Sequence, residues 1–166
     1  MNDEVLKGYL QHHWAGSTAG AAAFRRVGRN HHDPGAAAEI RQLASEVASD
    51  REALRRIMLS VGAKPSLIGT TMARAGEIAG RFKPNGRLFT RGPLTDVVEL
   101  EALRLAVTGK RAGFEVLRAS ADADGRLDAH EIDRLLDRAE EHQRTLERLH
   151  VQVSRERIVA GGDPAR

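Results

Sequence analysis

Five ionisable residues occupy positions where long amphipathic helices would normally bury apolar side chains. Each of the four predicted long helices contributes at least one of them: His13, Glu46, Asp50, Glu99 and His142. Burying an unpaired charge is costly, and imidazoles with carboxylates are the ligands that metal sites in bundle cores use. The pattern therefore predicts either a site for iron or manganese or a metal-free polar network that fixes the register of the helices. We favour the network, with no cofactor.

A second group of carboxylates follows the spacing of an EF-hand calcium loop over residues 120–131. Oxygen ligands stand at the loop positions that wrap the ion, namely Asp122, Asp124, Asp128 and Glu131. The first loop position is Ser120, however, and the sequence holds no second loop to pair with this one. The same residues suit a helix connection in which Asp128 caps the next helix and Glu131 completes a capping-box-like pair. We favour the connection and expect no tight calcium site.

Positive charge concentrates between the second and third predicted helices. The formal net charge of the chain is +3, whereas residues 64–92 contain six basic residues and one acidic residue, a local charge of +5. An anionic partner, such as a nucleic acid or a lipid surface, would meet this cluster at Arg81, Lys83, Arg87 and Arg91. A solvated surface explains the same charges and is the interpretation we favour, because only two aromatic residues, Phe82 and Phe89, accompany them.

Helical periodicity predicts the elements that position these residues. Long helices are expected over residues 3–27, 34–61, 94–119 and 129–159, with Asp33 and Asp128 as caps. A shorter helix is expected over residues 66–82, where small residues recur every three or four positions. The sequence therefore predicts an all-α fold, with four long helices and a short crossover helix between the second and third. Residues 1–160 form one domain, and residues 161–166 form a flexible tail.

Four stretches carry a resemblance to known proteins: YLQHHWAGS at 9–17, EVASDR at 46–51, LEALRL at 100–105 and GKR at 109–111. The chain resembles ferritin-like helical bundles and, more closely, small uncharacterised helical proteins of actinobacteria. The resemblance implies a bundle with one long crossover, and in functional members a di-iron site built from two Glu-x-x-His motifs and two further glutamates. Both motifs are broken here, because Ser49 stands where the first needs histidine and Ala139 stands where the second needs glutamate. The resemblance assigns no activity.

Composition and motifs exclude several classes of function. The chain of 166 residues has no cysteine, which excludes disulfides, thiol catalysis and cysteine-based metal sites. No apolar run approaches the roughly 18 residues of a membrane span, and no signal peptide is evident, so we expect a cytoplasmic protein. No nucleotide-binding or nucleophile motif is present. We therefore favour a non-catalytic binding or assembly module, and a homo-oligomer is one expected state. The alternative is a ferritin-like metalloprotein, such as an oxidase, with a non-standard His/carboxylate site.

Overall fold

Every regular element in the described part of the chain is helical. The computed structural model describes residues 2–66 and 92–160. Its helices are α1 (Asp3–Asn30), α2 (Pro34–Ser60), α3 (Pro93–Ala121) and α4 (Ala129–Ser154), and a π-helical turn (Arg155–Val159) follows α4. The prediction of an all-α protein with four long helices is confirmed. Within these described ranges, no helix is long and apolar enough to cross a membrane.

Three sequence predictions fall on residues that the structure does not describe. These are the crossover helix beyond Ser66, the tail at 161–166, and the basic residues Arg81, Lys83, Arg87 and Arg91. They remain predictions.

Local sequence signals explain most of the helix boundaries. The Asp33 side chain accepts a hydrogen bond from the backbone of Ala36 at 2.6 Å, and Pro34 occupies the first turn of α2, as predicted. Gly62 ends that helix with φ of +75°, a left-handed conformation that glycine adopts without strain. Helical backbone extends to Val159, as predicted for the fourth long helix, but its last five residues, Arg155–Val159, form a π-helical turn in place of α-helix.

The helices form two antiparallel hairpins, α1 with α2 and α3 with α4. Contacts between the hairpins fix their relative direction. His13 lies against Gly113 near the start of α1, whereas Arg26 near its end lies 3.6 Å from Glu99, so α1 and α3 run antiparallel. The contacts between α2 and α4 show the same relation, since Glu46 meets His142 and Arg56 meets Glu131. As a result, α2 ends at one end of the bundle and α3 begins at the other.

Two separate apolar clusters make up the core. The first fills the end of the bundle near the α1–α2 loop, and its largest members include Phe24, Ile40, Leu100, Leu103 and Leu149. The second fills the opposite end and includes Leu10, Trp14, Met58, Phe114 and Ile132. Along α2 the first cluster ends at Val47 and the second begins at Ala53. The centre of the bundle, between the two clusters, is occupied by polar side chains.

Candidate functional site

A polar layer crosses the bundle between the two apolar clusters. It consists of Glu46 and Asp50 on α2, Lys110 on α3, and Arg138 and His142 on α4. Asp50 is 2% exposed and His142 is 1% exposed, so both are excluded from water. The prediction that these two residues are buried and bonded is confirmed, since both are bonded within the layer.

Lys110 holds the layer together at its centre. Its ammonium group donates to Asp50 Oδ2 at 2.7 Å and to His142 Nδ1 at 2.9 Å, so one side chain from α3 links α2 and α4. The side chain is only 15% exposed. Burial lowers the pKa of Lys110, and the adjacent Asp50 carboxylate opposes that shift. Because the buried ammonium lies beside a buried carboxylate, neither charge is left uncompensated.

The two neighbours of His142 define its protonation state. Lysine ammonium groups only donate hydrogen bonds, so His142 Nδ1 must accept from Lys110. The other ring nitrogen, Nε2, lies 2.7 Å from Glu46 Oε2 and must therefore carry the proton and donate it to that carboxylate. The geometry assigns His142 as a neutral imidazole protonated at Nε2.

The remaining bonds complete the layer at its edges. Gln42 donates to Glu46 Oε1 at 3.1 Å, and Arg138 Nη1 lies 2.9 Å from Asp50 Oδ1 as an ion pair. With His142 neutral, two carboxylates balance one ammonium and one guanidinium, so the layer has no net charge. Such a layer can be buried without leaving an uncompensated charge.

Shifts in pKa follow from these surroundings. Burial, and after it the Lys110 ammonium, lower the pKa of His142 below its ordinary value of 6.5. Burial raises the pKa of Glu46, but hydrogen bonds from Gln42 and His142 outweigh this, and the net pKa of Glu46 is lowered. Both shifts favour the charge states assigned above at neutral pH.

The free energy of unfolding is expected to fall as the pH drops below about 6.5. The unfolded chain takes up a proton on residue 142 in this range and the folded chain does not, so acid favours unfolding. The contribution of one such histidine is at most about 1.4 kcal/mol per pH unit. Replacing His142 with glutamine, which keeps an acceptor and a donor but does not titrate, should reduce this slope in denaturant unfolding measured between about pH 5 and pH 8.

Two other histidines provide comparisons for this measurement. Burial also lowers the pKa of His13, with the same sign, so His142→Gln should reduce the slope without abolishing it. His130 is exposed on α4, and His130→Gln is the matched control for the loss of an imidazole. Equal slopes for the wild type and His142→Gln would refute the assigned protonation state.

The structure brings together three of the five residues that the sequence predicted as a site. Glu46, Asp50 and His142 share the polar layer, whereas His13 packs against Tyr9 with ring centroids 4.5 Å apart and lies over Gly113. Glu99 pairs with Arg26 and stands eleven residues before Lys110 on α3, about 16 Å along the helix axis. Within residues 2–66 and 92–160, no group of three histidine or carboxylate side chains is arranged to hold a metal ion.

Sequence reasoning missed Lys110 and Arg138, although Lys110 had a visible signal. The apolar seam of α3 includes Leu103, Val107, Phe114 and Leu117. Alternating steps of four and three residues along this seam require one further inward-facing position between Val107 and Phe114, at residue 110. Lys110 occupies that position. Arg138 neighbours the seam of α4 and has no comparable signal.

The carboxylates of the EF-hand-like loop have partners within the chain. Asp124 is held by the guanidinium of Arg126, with contacts from 2.6 to 3.0 Å, and these bonds lower the pKa of Asp124 to about 2. Arg126 also reaches Asp3 on α1 at 2.8 Å, which ties the loop to the start of the chain. Asp122 pairs with Arg118 at 3.1 Å.

The last two carboxylates of the loop belong to α4. Asp128 accepts from the Glu131 backbone at 3.1 Å and caps the helix, which confirms the predicted cap. The Glu131 side chain pairs with Arg56 on α2 at 2.7 Å. The structure therefore gives Glu131 an interhelical ion pair in place of the predicted capping-box contact.

We expect no calcium binding by residues 120–131 with a dissociation constant below about 10 μM, the range of calcium sensors. Ser120 lacks the first carboxylate, and calcium would have to displace Arg126 from Asp124. Isothermal titration of the purified protein with CaCl2 tests this. A tighter stoichiometric site, lost in Glu131→Gln, would contradict the expectation.

A second buried carboxylate lies at the end of the bundle near the α1–α2 loop. Asp96 on α3 is fully buried, and its oxygens lie 2.9 and 3.0 Å from His32 Nδ1 and 3.2 Å from Arg157 Nη2. The contact joins the α1–α2 loop, α3 and the π-helical turn. Asp96 occupies the seam position before Leu100, so its spacing was again visible in the sequence.

Comparison with known proteins does not add a family. The chain matches no protein-family model, no curated protein and no solved structure. The function proposed below therefore rests on the geometry of the polar layer.

Proposed function

We propose that this protein is a non-catalytic helical bundle that acts through its surface, as a binding or assembly module, and that the polar layer is structural. One observation supports this most directly. The Lys110 ammonium is bonded to both Asp50 and His142, so the carboxylate and the imidazole that a metal would use already share a cation supplied by the chain. A lysine in this position satisfies the same donor atoms without a cofactor.

The directions of the helices support a ferritin-like arrangement as part of this proposal. Such folds have two antiparallel hairpins joined by one long crossover. Here α2 ends at Ser60 and α3 begins at Pro93, at opposite ends of the bundle. The proposed crossover helix at 66–82 would lie in that connection. The layer replaces the di-iron site of functional members with a degenerate set of polar residues.

Assembly through the surface has its own support. Leu94 and Leu105 on α3 are 63% and 60% exposed, and eleven residues separate them, which places both on one face of the helix. A homo-oligomer formed through this face, and an anionic partner at residues 64–92, remain part of the proposal.

A ferritin-like metalloprotein with iron or manganese is the second candidate. Its support is the convergence of Glu46, Asp50 and His142 in one layer, since carboxylate and imidazole ligands suit these metals. In this alternative a metal would displace Lys110 from Asp50 and His142.

Metal analysis separates the two candidates. The protein, purified without a histidine tag after growth with iron, manganese and zinc, is expected to contain no stoichiometric metal. A stoichiometric metal that is lost in Asp50→Ala and kept in Asp137→Ala, an exposed carboxylate on α4, would establish the metalloprotein instead.

A further inference from the structure

A polar groove runs between α2 and α4 beside the polar layer. Its volume is about 420 Å³, and it is lined by Ser49, Glu52, Ala53, Arg56, Glu131, Arg134, Leu135 and Arg138. Polar pairs join the two helices at this groove, with Arg56 of α2 bound to Glu131 of α4 and Asp50 of α2 bound to Arg138 of α4.

Three arginines line this groove, and they differ in how they are paired. Arg56 at one end binds Glu131 at 2.7 Å. Arg138 at the other end has a single ion pair, with the buried carboxylate of Asp50 at 2.9 Å, and is itself 35% exposed. Arg134 lies between them and is exposed, and in the part of the chain that the structure describes it has neither an ion pair nor a hydrogen bond.

Arg134 and Arg138 stand four residues apart on α4, so their like charges face each other across one helical turn. Such pairs repel. An anion placed between the two would reduce the repulsion and would accept charge-assisted hydrogen bonds from both guanidinium groups. Glu52 and Glu131 supply negative charge at the sides of the groove, which disfavours an extended polyanion. No aromatic ring lines the groove, so it offers no platform for a nucleobase.

We propose that this groove binds a single phosphate group carried by a small molecule, with Arg134 and Arg138 as the principal ligands and Arg56 at the rim. The inference deepens the proposed function and rests on it, because it names a ligand class for a module that acts through its surface. Binding is also coupled to the core, since phosphate competes with Asp50 for the guanidinium of Arg138.

Titration of the metal-free protein with inorganic phosphate, followed by proton–nitrogen NMR at constant ionic strength set with chloride, tests the proposal. The expected result is saturable shifts at residues 49–56 and 131–138, with a dissociation constant below about 10 mM. Arg134→Gln should weaken binding about tenfold, because one charge-assisted fork is lost, and Arg134→Lys should weaken it less. Arg134 is exposed, so these variants are expected to fold normally.

Arg144→Gln is the matched control. Arg144 is 67% exposed on the same helix, pairs with Glu140 and does not line the groove, so its replacement should leave the shifts unchanged. The absence of saturable shifts, or a dissociation constant that is unchanged in Arg134→Gln, would overturn the proposal. Binding of duplex DNA in place of phosphate, insensitive to Arg134, would do the same. The metal content of the protein is measured separately, so failure of this site and failure of the proposed function are distinguishable.

Discussion

Replacing Lys110 with methionine is expected to lower the free energy of unfolding by roughly 3–5 kcal/mol. The substitution preserves most of the side-chain volume and removes the ammonium that bonds Asp50 and His142. Asp50 then remains 2% exposed with a negative charge whose remaining partner is Arg138. Denaturant unfolding of the variant measures the loss.

Two further variants show whether the loss comes from the broken pair. In Asp50→Leu/Lys110→Met both buried charges are absent and Arg138 can turn toward solvent, so the double variant should be more stable than Lys110→Met. Lys7→Met is the matched control, because Lys7 makes only an exposed contact to Glu4 at 3.4 Å and should cost less than about 1 kcal/mol. If the two charges are not coupled, Asp50→Leu will cost as much in the Lys110→Met background as it does alone, and the two losses will add.

Truncating a large side chain in either of the two apolar clusters beside the polar layer is also expected to lower the free energy of unfolding substantially. Phe24 is 1% exposed in the first cluster, and Phe114 is 3% exposed in the second. Truncation of either ring to alanine should cost roughly 3–5 kcal/mol, through lost burial and the cavity left behind.

Both truncations should lower one common unfolding transition, because the polar layer links α2, α3 and α4 across the boundary between the clusters. Thermal unfolding followed by circular dichroism and by calorimetry provides the comparison. Two resolved transitions, each sensitive to only one of the substitutions, would show that the layer divides the bundle into independent units.

The sequence predicted the all-α class and the four long helices, because these helices carry strong local signals. Asp33, Pro34 and Gly62 set the limits of α2, and heptad spacing identified Asp50 and His142 as buried. The same spacing marks Lys110 and Asp96 on α3, two polar residues in a seam whose other members are apolar. A complete reading of each seam position, polar or apolar, would have placed both residues in the core.

The sequence does not predict which polar side chains bond to each other, because this depends on the axial position and rotation of whole helices relative to one another. Arg126 binds Asp3, which lies 123 positions away in the sequence, and no local residue spacing predicts such a contact. His13 shows the same limit. Its position on α1 predicts that it faces the core. Because Gly113 has no side chain, the His13 ring packs directly against the α3 backbone at that glycine and not within the polar layer. Periodicity determines which residues face inward, whereas packing decides which of them meet.

The most direct test of the account is nitrogen-15 NMR of the His142 ring. The structure predicts a neutral imidazole with its proton on Nε2 and with Nδ1 accepting from Lys110. This tautomer should persist at pH values below the ordinary histidine pKa of 6.5 and should be unchanged when iron, manganese or zinc is added. Titration at the ordinary value, or loss of the tautomer on addition of one equivalent of metal, would contradict a polar layer held by Lys110.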